Sequence, residues 1–310
     1  MQIGGGEFTY EWVEDWVRIP DTESGRTNGR THGVVVTDAN CVMVFHQADP
    51  AVLYYCPGSG LLRSWGDRFA GAHGMTLVKE EGKEYLWLTD QYSGEVVKTT
   101  LDGQAVQSIP RPDLPIYQDT KYAPTWVAVN EPRFGGNGDI WVTDGYGASV
   151  IHRYDKTGRY LATITGQEGK AGAFKCPHGI WFDWRRGYPE LYIADRSNAR
   201  VQVYDEDGCF KRVFGSDFLT SPCGFVTWGP YVMIPELYAC VTILDENDRL
   251  VCRLGENQAT CKIKGWPNHP SHRIEPGRFN SPHGMAVDKQ GNLYVVEWII
   301  GGRVTKLVKC

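Results

Sequence analysis

Pro177-His178-Gly179-Ile180 is one occurrence of a short phrase: a small residue or proline, then His-Gly, then alternating apolar residues. It returns as Thr31-His32-Gly33-Val34, Ala72-His73-Gly74-Met75 and Pro282-His283-Gly284-Met285. Two degenerate copies, Pro124-Thr125-Trp126-Val127 and Pro222-Cys223-Gly224-Phe225, fill the gaps, so the key positions are 32, 73, 125, 178, 223 and 283. Each copy is followed by a second apolar run, at 42–46, 86–90, 140–144, 191–195, 232–236 and 293–297, and each run closes on an acidic or polar residue. Third runs such as 150–154 and 201–204 lead into the turns at Thr157-Gly158 and Asp207-Gly208. Fourth runs follow at 160–163 and 211–214. Alternation is the period of a strand, and four short strands repeated at such an interval make one propeller blade.

Six copies predict an all-β, six-bladed propeller. The last copy stops after its third run, at 303–309, and the N-terminal run 8–13 is expected to supply its outer strand. That pairing joins the chain ends, closes the ring and removes an exposed sheet edge. The expectation is one domain over residues 1–310. No segment carries a long helical period with caps. Two insertions, 109–122 and 257–279, are long enough to be read as lids or binding loops.

Composition agrees. The chain has 36 glycines, 11 tryptophans and 16 tyrosines, the turn and strand residues of β proteins. Net charge is -5, with no basic stripe, which argues against nucleic-acid and anionic-membrane partners. No apolar run approaches the roughly 18 residues of a membrane span. The first ten residues lack the basic start and apolar centre of a signal peptide. Nine cysteines without a CxxC pair or dense framework suggest a reduced, cytoplasmic setting, with secretion as the alternative if a leader has been removed.

In a propeller, equivalent positions of the innermost strands face the central channel. The column is His32, His73, Thr125, His178, Cys223 and His283, and it holds four of the eight histidines. Neutral imidazoles converging from different blades suit zinc or a similar divalent metal. The plainer alternative is a turn histidine that bonds backbone where the strand begins. Cys223 is read as a small buried thiol, with soft ligation as the alternative.

The stretch 123–129, then the DIWVTDGY run at 139–146, then Cys176-Pro177-His178-Gly179, then Ala194-Asp195-Arg196-Ser197-Asn198 and on to Tyr204, resembles the NHL-repeat propellers. Among these it is most similar to the peptidyl-α-hydroxyglycine α-amidating lyases and their bacterial relatives. The resemblance implies a metal on His73, His178 and His283, with His32 as an added fourth candidate. It also implies Tyr146 as general base and Arg196 as a catalytic and substrate-binding cation. A metal polarises an oxygen, and a guanidinium can grip a carboxylate with two prongs. His46, Gln47 and Cys223 are carried as substrate-binding candidates. The sequence departs from the family at three places: Gln47 stands where the lyases carry an arginine, Gly147 where the animal enzyme has a cysteine, and Gly284 where an acid tied to calcium is expected. Calcium is therefore the second metal expectation, behind zinc.

The resulting expectation is a metal-dependent lyase, with hydrolase second, acting on a small polar and carboxylate-bearing molecule other than the amidating lyase substrate. The competing expectation is a non-catalytic propeller that binds a protein or glycan through exposed aromatics, with Trp266, Tyr117 and Tyr92 as the residues to examine.

Overall fold

The computed structural model describes residues 1–56 and 60–310. These form six antiparallel sheets whose strands follow chain order, the six blades of an all-β propeller. Blade 1 is Thr31–Val36, Val42–His46, Val52–Cys56 and Gly60–Trp65. Blade 2 is Ala72–Glu80, Lys83–Asp90, Glu95–Thr100 and Ala105–Ser108. Blade 3 is Trp126–Val129, Ile140–Asp144, Val150–Tyr154 and Tyr160–Ile164, and blade 4 is Pro177–Asp183, Glu190–Asp195, Arg200–Tyr204 and Phe210–Phe214. Blade 5 is Val226–Trp228, Tyr231–Glu236, Cys240–Leu244 and Leu250–Leu254. Blade 6 takes Pro282–Val287, Leu293–Glu297 and Arg303–Lys309, then Tyr10–Val17 from the N-terminus, with Gln2–Ile3 outside it. The outer strand of the last blade therefore comes from the N-terminal run, as its spacing predicts. Tyr10 pairs with Lys309 and Trp12 with Leu307.

The chain divides into two compact units, Ala70–Pro222 with blades 2 to 4, and Met1–Phe69 together with Cys223–Cys310. In the first of these, alternation sends neighbouring side chains to opposite faces of a blade. Ile140 and Val142 pack with Val78, Trp87 and Val96 of blade 2. Trp141, between them, packs with Ile180, Leu191 and Ile193 of blade 4. The second unit repeats the device. Leu293 and Val295 pack with Met233 and Ile243 of blade 5, while Tyr294 and Val296 pack with Val44 and Leu53 of blade 1.

Two readings need correction. The 109–122 insertion is anchored rather than free, because Ile109, Tyr117 and Tyr122 are core residues between blades 2 and 3, while most of the residues between them are exposed. Tyr117 is thus no exposed binding aromatic; its apolar ring is drawn into that core. The cysteines are not all reduced either. Cys41 and Cys56, which flank paired strands of blade 1, form a disulfide. Among the described residues the one α-helix is Glu23–Thr27, capped by Thr22, whose Oγ1 accepts from Gly25 N–H at 3.0 Å. No helix is long and apolar enough to cross a membrane.

Candidate metal and proton-transfer site

The His-Gly phrase has a local job in every copy where its contacts are known. His73 gives its Nδ1–H to Thr125 O at 2.7 Å, the column residue of the next blade. His283 gives Nδ1–H to His32 O at 3.1 Å, and His32 gives its own to Arg30 O at 3.2 Å. A carbonyl only accepts, so each of these rings carries its proton on Nδ1 and keeps a lone pair on Nε2. That is the tautomer a metal requires, and it is held by the backbone bond typical of ligating histidines. Glycine after the histidine is required by close approach. A Cβ at Gly74 would lie 2.5 Å from Thr125 O, and one at Gly284 would lie 2.4 Å from His32 O. The acid expected for calcium at position 284 has no room there.

In the unit Ala70–Pro222, four predicted site residues meet. Tyr146 Oη lies 3.3 Å from His73 Nε2 and 3.2 Å from His178 Nε2. Arg196 Nη1 donates to the same Oη at 3.0 Å, and its guanidinium stands over the Tyr146 ring. The two imidazole centroids are 4.7 Å apart. His73 and His178 are fully buried, whereas Tyr146 and Arg196 are partly exposed, so a solute reaches the phenol before the imidazoles. The donor set fits a divalent metal of the zinc type. It offers two imidazole Nε2 atoms, that of His73 in the tautomer a metal requires, and no carboxylate among these four.

In the unit Met1–Phe69 with Cys223–Cys310, the rings of His32 and His283 meet edge to face at 4.4 Å, both buried. Cys223 is fully buried, and its N–H bonds Pro235 O at 2.9 Å. His46 ends its strand opposite Thr31, and burial holds its pKa down at about 4. Gln47 N–H bonds Arg30 O at 3.0 Å, and its side chain is buried.

The acids that end the second strands tie chain rather than transfer protons. Asp90 accepts from the N–H groups of Gly71, Tyr92 and Ser93, each at 2.8 Å. Asp195 accepts from Lys175 N at 2.7 Å, and Glu297 from Asn280 N and Ser281 N at 2.6 and 2.8 Å. Each carboxylate thereby pins the segment that leads into its own blade's column residue. Sequence reading missed the hydroxyls beside them. Thr89 Oγ1 accepts from Gly74 N–H at 2.8 Å and donates to Thr125 O at 3.0 Å. Thr143 Oγ1 bonds Thr125 Oγ1 at 2.9 Å and donates to His178 O at 3.2 Å. The signal was the recurring Thr-Asp pair at 89–90 and 143–144. Trp126 was also missed; its ring centroid lies 6.2 Å from that of His73 and 6.3 Å from that of His178.

By fold this is a six-bladed β-propeller with an imidazole and phenol centre. No family model matches the chain. It is similar to NHL repeat-containing protein 3 of Homo sapiens, 26% identical over 252 residues, 74% of this chain and 68% of that protein. It is also similar to peptidyl-alpha-hydroxyglycine alpha-amidating lyase 1 of Drosophila melanogaster, 27% identical over 283 residues, 80% of this chain and 47% of that protein. The match thus spans about half of the fly protein's length. Among solved structures, a streptogramin B lyase superposes with TM-score 0.63 at 12% identity, covering 98% of this chain and 99% of that one. A gluconolactonase from Xanthomonas campestris gives TM-score 0.64 at 13% identity, covering 96% and 97%. NHL-repeat proteins and amidating lyases are therefore relatives, and lyase and lactonase propellers share the fold.

Proposed function

We propose that this protein is a metal-dependent lyase, with hydrolase as the second choice, acting on a small polar substrate that bears a carboxylate. The observation that carries the reading is the Tyr146 hydroxyl, held between two imidazole Nε2 atoms and a guanidinium. His73 and His178 would hold the metal. The repeat register adds His283 and His32 to the ligand set, with zinc ahead of calcium. The bound metal supplies Lewis acidity toward a substrate oxygen. Tyr146 takes or returns a proton at Oη. Arg196 binds the substrate carboxylate and keeps it beside the phenol. His46, Gln47 and Cys223 are proposed to line the substrate's path. A neutral glutamine at 47, in place of the arginine of the lyases, favours a substrate other than peptidyl-α-hydroxyglycine.

Elemental analysis of protein made without a histidine tag is expected to give about one divalent metal per chain. The His73→Ala/His178→Ala/His283→Ala variant should lose it. Tyr146→Phe should keep the metal and lose roughly 100- to 10,000-fold in turnover. Assays begin with a peptidyl-α-hydroxyglycine and widen to small hydroxy- and amino-carboxylates. A protein that holds no metal, with its histidine rings hydrogen-bonded to backbone or water alone, would return the reading to a non-catalytic binding propeller, with exposed Tyr92 as the first place to look.

A further inference from the structure

The 109–122 insertion reaches the turn that carries Tyr146 through a line of hydrogen bonds. Tyr160 Oη meets Thr163 Oγ1 at 2.7 Å, and Thr163 Oγ1 meets His152 Nδ1 at 2.8 Å. His152 Nε2 meets Tyr117 Oη at 2.5 Å, and Tyr117 Oη donates to Asp144 Oδ2 at 2.8 Å. Asp144 also accepts from Ala123 N–H on Oδ1 and from Ala148 N–H on Oδ2, both at 2.7 Å. Three donors on one carboxyl group match an ionised, acceptor-only carboxylate.

Burial pushes the Asp144 carboxyl up, and the backbone N–H groups of Ala148 and Ala123 and the Tyr117 hydroxyl pull it back; with the carboxylate ionised, donor counting sets each direction. The single proton of Tyr117 goes to Asp144, so Tyr117 Oη accepts from His152 Nε2–H. His152 is neutral when buried, so its Nδ1 accepts from the Thr163 hydroxyl. Thr163 Oγ1 in turn accepts from Tyr160, whose ring is 37% exposed. Tyr117, His152 and Asp144 are all buried.

The partners of Asp144 bracket Tyr146. Ala148 lies two residues beyond it, and Tyr146 N–H bonds Ala123 O at 3.3 Å. A Cβ at Gly147 would come within 2.1 Å of Asp144 Oδ1, so a side chain there cannot coexist with this clamp.

We propose that Tyr117 and His152 are positioning residues for Tyr146. They hold the Asp144 carboxylate, and through it the turn at residues 145–147, in the orientation that places the Tyr146 hydroxyl between His73 and His178. The functional weight of this rests on the reading of Tyr146 as the reactive group; the positional claim does not.

The test uses full-length protein labelled with 3-fluorotyrosine, with the Tyr146 fluorine signal assigned by its loss in Tyr146→Phe. Tyr117→Phe keeps the ring and removes the hydroxyl, and it is expected to move or broaden the Tyr146 signal. Thr163→Val, at a half-buried strand position, is expected to move it in the same direction by less. Tyr85→Phe is the control, since it removes a phenol hydroxyl that packs against the same core from the second strand of blade 2, and it should leave the signal in place. An unmoved Tyr146 signal in folded Tyr117→Phe and Thr163→Val overturns the proposal. If Tyr117→Phe does not fold, Thr163→Val decides alone. With a substrate in hand, Tyr117→Phe should lower kcat about 10- to 100-fold with KM little changed. Full activity in Tyr146→Phe would instead sink the reactive reading of that phenol and leave the positional result standing.

Discussion

Each channel imidazole with a known Nδ1 partner bonds a backbone carbonyl, so one half of the ring serves the fold and the other half is left for chemistry. The alternative of a turn histidine bonding backbone and the ligand reading therefore describe different nitrogens of one ring. His46 and His152 are buried histidines that lie away from the column. Burial is the first cause that lowers His46 and His152, each to about 4. A depressed histidine contributes stability that is present above the unfolded value of about 6.5 and is lost as pH falls toward the folded value. In that window the unfolded chain binds a proton that the folded site refuses. Each site should thus remove about 1.4 kcal/mol per pH unit, roughly 3 kcal/mol in all. Urea midpoints measured from pH 7 to 4 should fall, and the His46→Gln/His152→Gln variant should fall less steeply. Equal slopes would mean that one or both imidazoles charge freely in the folded state.

At the scale of the element, the recurring unit is a strand that begins at the channel, followed by a strand that ends on an acid. The acid binds backbone N–H groups ahead of its own column residue, which is why Asp90, Asp144, Asp195 and Glu297 recur at matching places. Blade 1 is different. Its second strand ends at His46, and its second and third strands are tied by Cys41–Cys56, 15 residues apart. Closing a loop of that length is worth about 3 kcal/mol in the chain-entropy account. Thiol titration of the unfolded, unreduced protein should find seven free cysteines, and Cys41→Ser/Cys56→Ser should lower stability by about that amount. A count of nine would remove the cross-link. The cytoplasmic expectation pulls against this bond, because disulfides persist in oxidising compartments. Alkylation in intact cells before lysis decides between them.

For the whole molecule, the decisive pairing is the one between the chain's two ends. Tyr10 and Trp12, buried with Phe279, Leu293 and Leu307, cover the third strand of blade 6. Deleting residues 1–17 would expose Arg303–Lys309 as an edge and uncover that core. The truncated chain is expected to be insoluble, or to unfold at least 10 °C lower by calorimetry, given a loss of several kcal/mol. A soluble truncation with unchanged melting would show that the blade is complete without its N-terminal strand.

Blade number, strand order and the pairing of the two ends were legible in the chain, because a repeated motif stamps its period on the sequence and strand alternation has only two faces to choose between. The histidine column at 32, 73, 178 and 283 was legible for the same reason, whereas Tyr146 and Arg196 entered through the resemblance to the amidating lyases. Tertiary structure alone decided which nitrogen of His73, His283 and His32 faces the backbone, that Tyr146 bridges His73 and His178, that Ile109, Tyr117 and Tyr122 of the 109–122 insertion enter the core, and that Tyr117 joins Asp144 to His152. Those outcomes depend on close packing between segments tens of residues apart. No local propensity encodes them, because the partner of a hydrogen bond is chosen by the space that folding leaves around it.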